Sequence, residues 1–173
     1  MTVRLRPMTV DDLPGVMVLE EELFAPDTWT LAMYRDELSR ADTRYYVVAE
    51  FHLDGDDDEE EGGKPVLVGY AGLIAYDDEA HVATLGVTKA LQGEGIGSLL
   101  LDDLLAEADR RSPVVLLEVR ADNQKAQGLY QRRGFVEIGR RHGYYQPSGA
   151  DAVVMKRKRV RSLGSRTSGG GRG

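Results

Sequence analysis

The sequence contains no cysteine among its 173 residues. This absence excludes a disulfide scaffold, a thiolate zinc site, a cysteine nucleophile and an iron–sulfur cluster. No apolar run approaches the roughly 20 residues that span a bilayer, and residues 1–14 lack the apolar centre of a signal peptide. We therefore expect a cytoplasmic protein that does not bind a membrane.

Basic residues are scarce outside the C-terminal end of the chain. There are 29 acidic and 22 basic residues, and seven of the basic ones lie between Lys156 and Gly173, where no acid occurs. Seven acids fall within the eight residues from Asp54 to Glu61. Nucleic-acid binding favours a basic face, so we expect at most weak nucleic-acid contact, through the tail. The acidic body favours a cationic partner, such as an amine or an Arg/Lys-rich peptide.

The length and patterning indicate one domain with additions. We predict a folded domain over residues 1–156, with a solvated acidic loop at 54–63, and a disordered basic tail over 157–173. Alternating and helical apolar spacings predict the order β α α β β β α β α β β. Such an order is typical of the α/β (α+β) class, with a mixed central sheet and helices on both faces.

A glycine-rich turn follows the third predicted strand of the central meander. Residues 92–97 read Gln-Gly-Glu-Gly-Ile-Gly and run directly into a predicted helix. Glycines let a ligand approach the backbone, and the start of a helix favours an anion, so this turn predicts a phosphate site. It is neither a P-loop, because Ser98 stands where the lysine belongs, nor the dinucleotide fingerprint. A simple flexible turn is the alternative.

Two further residues are candidates for proton transfer. Glu118 interrupts an apolar strand, and burial would raise its pKa toward that of a general base. The alternative is a strand-end carboxylate that faces solvent or pairs with Arg120. Tyr130 lies on the inner face of a predicted helix, where a tyrosine is usually core filler. His81 and His142 lack the spacing of metal ligands, so we interpret both as structural and predict no metal site.

These features together resemble a known family. Thr-Leu-Gly-Val at 84–87, four spacer residues and the turn at 92–97 resemble the acetyl-CoA signature of the GNAT acetyltransferases, Gln/Arg-x-x-Gly-x-Gly/Ala. The block Leu-Glu-Val-Arg-Ala-Asp-Asn at 117–123, with Leu-Tyr at 129–130 and Arg-Gly-Phe at 133–135, is similar to the bacterial RimI group. The resemblance spans residues 2–156. It implies the GNAT fold and transfer of acetyl from acetyl-CoA to the N-terminal alanine of a small-subunit ribosomal protein.

The resemblance also implies roles for individual residues. Glu118 would be the general base and Tyr130 the general acid that protonates the leaving thiolate. The acceptor wall would include Trp29, Tyr144 and Tyr145. The strands that carry Val87 and Glu118 would splay apart to admit the pantetheine. The residues implied to bind acetyl-CoA are Thr84, Leu85, Gly86, Val87, Gln92, Gly93, Glu94, Gly95, Ile96, Gly97, Ser98 and Asn123.

Some positions depart from the family pattern, which leaves alternative acceptors and an alternative function open. Pro26 and Trp29 are separated here, whereas RimI sequences usually carry them side by side, which bears on the acceptor. Glu94 must point away from a pyrophosphate. The alternative acceptors are a lysine side chain, another protein N-terminus or a small amine. A CoA-binding, ribosome-associated module without turnover is an alternative of another class, although the Glu118 and Tyr130 pair favours an enzyme.

Overall fold

The computed structural model describes residues 2–53 and 63–160. The predicted acidic loop, apart from Gly63, and the tail beyond Val160 lie outside these residues. The described part contains four α-helices: α1 (Leu13–Phe24), α2 (Leu31–Leu38), α3 (Ile96–Arg111) and α4 (Gln124–Gln131). Its seven strands are β1 (Thr2–Pro7), β2 (Arg44–His52), β3 (Val66–Ala75), β4 (Ala80–Val87), β5 (Val114–Arg120), β6 (Val136–Arg141) and β7 (Ala152–Lys158).

The predicted order of helices and strands is confirmed, and the predicted end of the domain is shifted. A 3₁₀ turn at Val10–Asp12 precedes α1, because the Asp12 carboxylate accepts the N–H of Thr9 at 2.7 Å and caps the chain there. β7 continues through Lys158, so the predicted start of the tail at residue 157 is wrong. Arg157 is buried and forms two hydrogen bonds with the carboxylate of Asp109.

The seven strands form one mixed sheet in the order β1-β2-β3-β4-β5-β7-β6. Of the described strand pairs, β4 with β5 is parallel and the rest are antiparallel. β4 and β5 pair only at Ala80 with Val115 and at His81 with Leu116. Beyond these pairs the two strands diverge, which confirms the predicted splay and opens a gap in the middle of the sheet.

Helices cover both faces of this sheet, as predicted. Side chains alternate along β2, so Val47 and Ala49 join the core beneath α3, whereas Tyr46 and Val48 join the core beneath α1 and α2. No helix in the described part of the chain is both long and apolar enough to cross a membrane. Val82 and Val87 of β4 and Val119 of β5 pack into the core beneath α3, on either side of the gap.

Candidate active site

The backbone of β4 presents polar groups to the gap. The N–H of Thr88 donates to the carbonyl of Val68 in β3 at 2.9 Å. Alternate residues of a strand direct their backbone groups to opposite edges, so the N–H and C=O of Val87 face away from β3, toward the gap. The amide Nε2 of Gln92 donates to that carbonyl at 3.0 Å. The Val87 N–H is therefore a donor at the point where the sheet opens.

A first cavity, the donor cavity, lies between the end of β4 and the starts of α3 and α4. Gly93 and Gly95 adopt φ values of 88° and 85° in its glycine-rich turn, a conformation that L side chains rarely adopt. Gly95 precedes the 16-residue helix α3, whose first N–H groups favour an anion. Nine predicted acetyl-CoA residues line this cavity: Leu85, Gly86, Val87, Gln92, Gly93, Gly95, Gly97, Ser98 and Asn123.

Two cations that the sequence reasoning missed also line the donor cavity, namely Lys125 and Arg132. None of the described residues that line it is acidic. Both cations belong to the α4 segment, seven residues apart, a spacing that places them on one side of a helix. The glycine-rich turn, the start of α3 and the two cations together can bind the phosphates of coenzyme A.

Three residues of the predicted acetyl-CoA set lie elsewhere. Ile96 is only 4% exposed and packs into the core beneath α3, because its side chain points from the helix toward the sheet. Glu94 is exposed and does not line the cavity. Thr84 lines the neighbouring cavity instead.

That second cavity, the acceptor cavity, lies on the other side of the gap. It is lined by all five residues predicted to act in catalysis or to bind the acceptor: Trp29, Glu118, Tyr130, Tyr144 and Tyr145. The two cavities share lining residues, including Phe24, Leu85 and Asn123. The tertiary structure therefore brings the donor cavity together with Glu118 and Tyr130 at the gap.

Glu118 contacts two cationic side chains in the acceptor cavity. Its side chain is 8% exposed, and its Oε2 lies 2.5 Å from Nε2 of His81. Oε1 lies 3.7 Å from the guanidinium of Arg141. Burial by itself raises the pKa of Glu118, but the hydrogen bond and charge of His81 and the charge of Arg141 outweigh it, so the pKa is lowered. The expected raised pKa is wrong, and Glu118 is ionised at neutral pH.

The alternative pairing of Glu118 with Arg120 is also wrong. Arg120 forms its hydrogen bonds with Asp27 and Asp122. His81, which the sequence reasoning interpreted as structural, takes the place beside Glu118 because it pairs with Leu116 in the parallel register, two residues before Glu118. His142 instead lies near Asp151 and lines neither cavity.

Tyr130 meets the requirement for a proton donor. It is 7% exposed and packs edge-on against Phe135, with ring centroids 5.7 Å apart. Burial raises the pKa of Tyr130 to about 12, so its hydroxyl stays protonated at neutral pH. Tyr144 and Tyr145 pack edge to face at 5.0 Å and form an aromatic wall of the acceptor cavity.

Carboxylates outnumber cations among the residues that line the acceptor cavity. Carboxylates from Glu20, Asp27, Glu37 and Glu118 line it, against one guanidinium, Arg120, and the imidazole of His81. An excess of carboxylates attracts a cation such as a protonated amine. The described residues hold no group of three His, Asp or Glu side chains arranged to bind a metal ion.

A sheet split between two parallel strands, with a phosphate cradle on one side and a buried carboxylate and tyrosine on the other, is typical of acyl-CoA-dependent transferases. The model of the Acetyltransferase (GNAT) family matches residues 16–135. The chain belongs to this family and is an acetyl-CoA-dependent N-acetyltransferase.

The similarity to known proteins extends over most of the chain. The N-alpha-acetyltransferase RimI of Mycobacterium tuberculosis is 40% identical over 167 residues, covering 91% of this chain and 96% of the relative. The crystal structure of the ribosomal-protein-S18-alanine N-acetyltransferase from Escherichia coli has a TM-score of 0.74 at 23% identity, covering 95% and 98% of the two chains. Arabidopsis thaliana NAA60 in complex with acetyl-CoA has a TM-score of 0.77 at 19% identity, covering 91% and 98%. These two structures share the fold.

Proposed function

We propose that this protein acetylates the N-terminal alanine of a small-subunit ribosomal protein in the cytoplasm. The observation that carries the proposal is the acidic acceptor cavity, in which the Glu118–His81 pair and Tyr130 meet the donor cavity at the gap. The similarity to the M. tuberculosis RimI enzyme over 91% of this chain supports it. So does the S18-alanine acceptor named for the E. coli enzyme of the same fold.

The donor cavity holds acetyl-CoA, which supplies the activated acetyl thioester. The glycine turn and the first N–H groups of α3 bind its pyrophosphate, and Lys125 and Arg132 neutralise its phosphates. The edge of β4 at residues 85–87 pairs with the pantetheine, because its polar backbone groups face the gap. Asn123, whose side chain also caps α4 through the N–H of Ala126, lies where the two cavities meet.

The acceptor amine must lose a proton before it can attack. An α-amine has a pKa of about 8, so most of it is charged at neutral pH. The ionised Glu118 attracts this ammonium group into the cavity. Because its pKa is lowered, Glu118 is a weak base. It accepts the proton on a carboxylate that lies 2.5 Å from Nε2 of His81. The base is therefore Glu118, as the sequence suggested, with His81 holding its carboxylate in place.

Two further groups stabilise the charges that develop during the reaction. The Val87 N–H donates to the thioester oxygen as negative charge develops there, and one such donor is often worth about 3–4 kcal/mol. The Tyr130 hydroxyl donates its proton to the departing thiolate. The amine attacks directly, and no enzyme side chain forms a covalent bond.

Mass spectrometry of a reaction with acetyl-CoA tests this function. The acceptor is an alanine-initiated, arginine-rich ribosomal peptide, beside an α-blocked copy that contains lysine. We expect acetylation of the free N-terminus only, and loss of product with Glu118→Gln. Acetylation of the blocked copy would move the assignment to lysine side chains. No product from either, with acetyl-CoA bound, would point to a small-amine acceptor or to a CoA-binding module.

A further inference from the structure

One carboxylate joins the two loops that form the walls of the acceptor cavity. The first wall loop, residues 25–30 between α1 and α2, carries Trp29. The second wall loop, residues 142–151 between β6 and β7, carries Tyr144 and Tyr145. Asp27 of the first loop accepts hydrogen bonds from the Ser148 hydroxyl at 2.7 Å and the Ser148 N–H at 2.9 Å.

The same carboxylate is also tied to the strand that carries the base. Asp27 accepts a third hydrogen bond, from Nη1 of Arg120 at 2.7 Å. Arg120 ends β5, two residues after Glu118, and its guanidinium lies 5.7 Å from the centroid of the Tyr145 ring. The Arg120 carbonyl accepts from Nε2 of Gln127 at 3.1 Å, which anchors this strand end to α4.

The burial of Asp27 distinguishes it from an ordinary surface ion pair. Its side chain is only 5% exposed, although it belongs to a loop. Asp122, the other carboxylate on Arg120, is 69% exposed and lines neither cavity. Exposed ion pairs contribute little because water competes for both charges. A buried carboxylate with three donors from two distant segments instead fixes the positions of those segments.

We propose that Asp27 is a positioning residue that clasps the two wall loops together and sets the width of the acceptor cavity. The clasp holds Trp29 on one side and the Tyr144–Tyr145 pair on the other at a fixed separation from Glu118. The acceptor peptide then binds between walls that are already in place. This consequence for the acceptor rests on the function proposed above, whereas the joining of the loops does not.

Hydrogen exchange tests the clasp without reference to activity. In the full-length protein we expect Asp27→Ala to speed amide exchange at least tenfold in the segment that contains Ser148, because the Ser148 N–H loses its acceptor. The matched control, Asp122→Ala, removes the same charge from Arg120 but no tie between the loops, and leaves this exchange unchanged. Equal exchange in Asp27→Ala and the wild type would overturn the clasp.

Steady-state kinetics test its role in positioning. Asp27→Ala is expected to raise the KM for the acceptor peptide about tenfold, with kcat and the KM for acetyl-CoA each within twofold of the wild type. Ser148→Ala removes one of the three donors, and we expect a rise of about threefold. If Asp27→Ala fails to fold, the KM of Ser148→Ala for the acceptor peptide tests the positioning role instead. An unchanged KM for the acceptor peptide would refute the positioning role of Asp27. So would equal rises in the KM values of both substrates.

The two proposals fail in different ways. A wild type that acetylates no protein N-terminus refutes the proposed function, and the exchange comparison still decides whether Asp27 joins the loops. An active wild type whose Asp27→Ala variant shows neither faster exchange nor a higher acceptor KM refutes the clasp alone.

Discussion

His81 favours the charged form of Glu118. The hydrogen bond and charge of His81 lower the pKa of Glu118 against the opposing effect of burial. Activity that requires an ionised Glu118 is lost as the pH falls through that lowered pKa, below the ordinary value of about 4.3. Removing His81 leaves the charge of Arg141 to oppose burial, so the pKa of Glu118 rises relative to the wild type.

A pH–rate profile of His81→Gln measures this dependence. Between about pH 4 and pH 8 we expect kcat/KM of the variant to fall on the acid side at a higher pH than that of the wild type. Both enzymes share the rise toward pH 8 that comes from deprotonation of the acceptor amine, which serves as the internal control. Superimposable acid limbs in the two profiles would show that His81 does not set the charge of Glu118.

Tyr130 is proposed to be the general acid that donates a proton to the departing thiolate of coenzyme A. Tyr130→Phe deletes only the hydroxyl and keeps the edge-on contact with Phe135. We expect kcat to fall by about 10²-fold, within the range of acid–base catalysis, with the KM for acetyl-CoA unchanged. Tyr45→Phe is the control, because the Tyr45 hydroxyl donates to Asp103 outside both cavities. Equal kcat values in the two variants would remove Tyr130 from the reaction.

The start of α3 depends on the left-handed backbone of Gly95. A Cβ at Gly95 would contact no atom within 4 Å, so the φ of 85° alone restricts this position. Gly95→Ala should lower the free energy of unfolding by about 1–2 kcal/mol, the cost of a left-handed L residue. It should also raise the KM for acetyl-CoA, because the N–H groups of the turn shift.

Gly139 provides the control for this substitution. It has the same open surroundings but no left-handed φ, so Gly139→Ala should leave both quantities unchanged. Denaturant unfolding measures the free energy of unfolding, and initial rates at varied acetyl-CoA concentration measure the KM. A Gly95→Ala variant as stable and as active as Gly139→Ala would show that the turn tolerates a side chain.

At the scale of the whole molecule, Arg157 joins the last described strand to α3. Its guanidinium bonds both oxygens of Asp109 at 2.7 and 3.0 Å, and its Nε donates to the carbonyl of Arg133. Arg157→Met leaves Asp109 and this carbonyl without their donor, which should cost about 2–4 kcal/mol.

Thermal unfolding of the full-length chain tests this boundary of the domain. For a chain of this size such a loss corresponds to a fall in Tm of roughly 5–15 °C. Lys158→Met is the matched control, because Lys158 is the exposed last residue of β7. If Arg157→Met and the control had equal Tm values, Arg157 would not stabilise the domain, and the predicted start of the tail at residue 157 would stand.

Local patterns in the sequence determined much of this protein. The order of helices and strands follows from apolar periodicity, and the glycine turn follows from a contiguous motif. Glu118 and Tyr130 were found because a carboxylate in an apolar strand and a short family motif are both visible within a few residues. These features depend on neighbours in the chain, which a sequence displays directly.

Contacts between distant segments were decided only by the tertiary structure. The parallel register of β4 and β5 places His81 beside Glu118, 37 residues away, and reverses the direction of the Glu118 pKa shift. The clasp of Asp27 with Ser148 spans 121 residues. Burial and charge act through space, so the sign of a pKa shift and the partners of a buried carboxylate depend on which strands and loops meet when the chain folds.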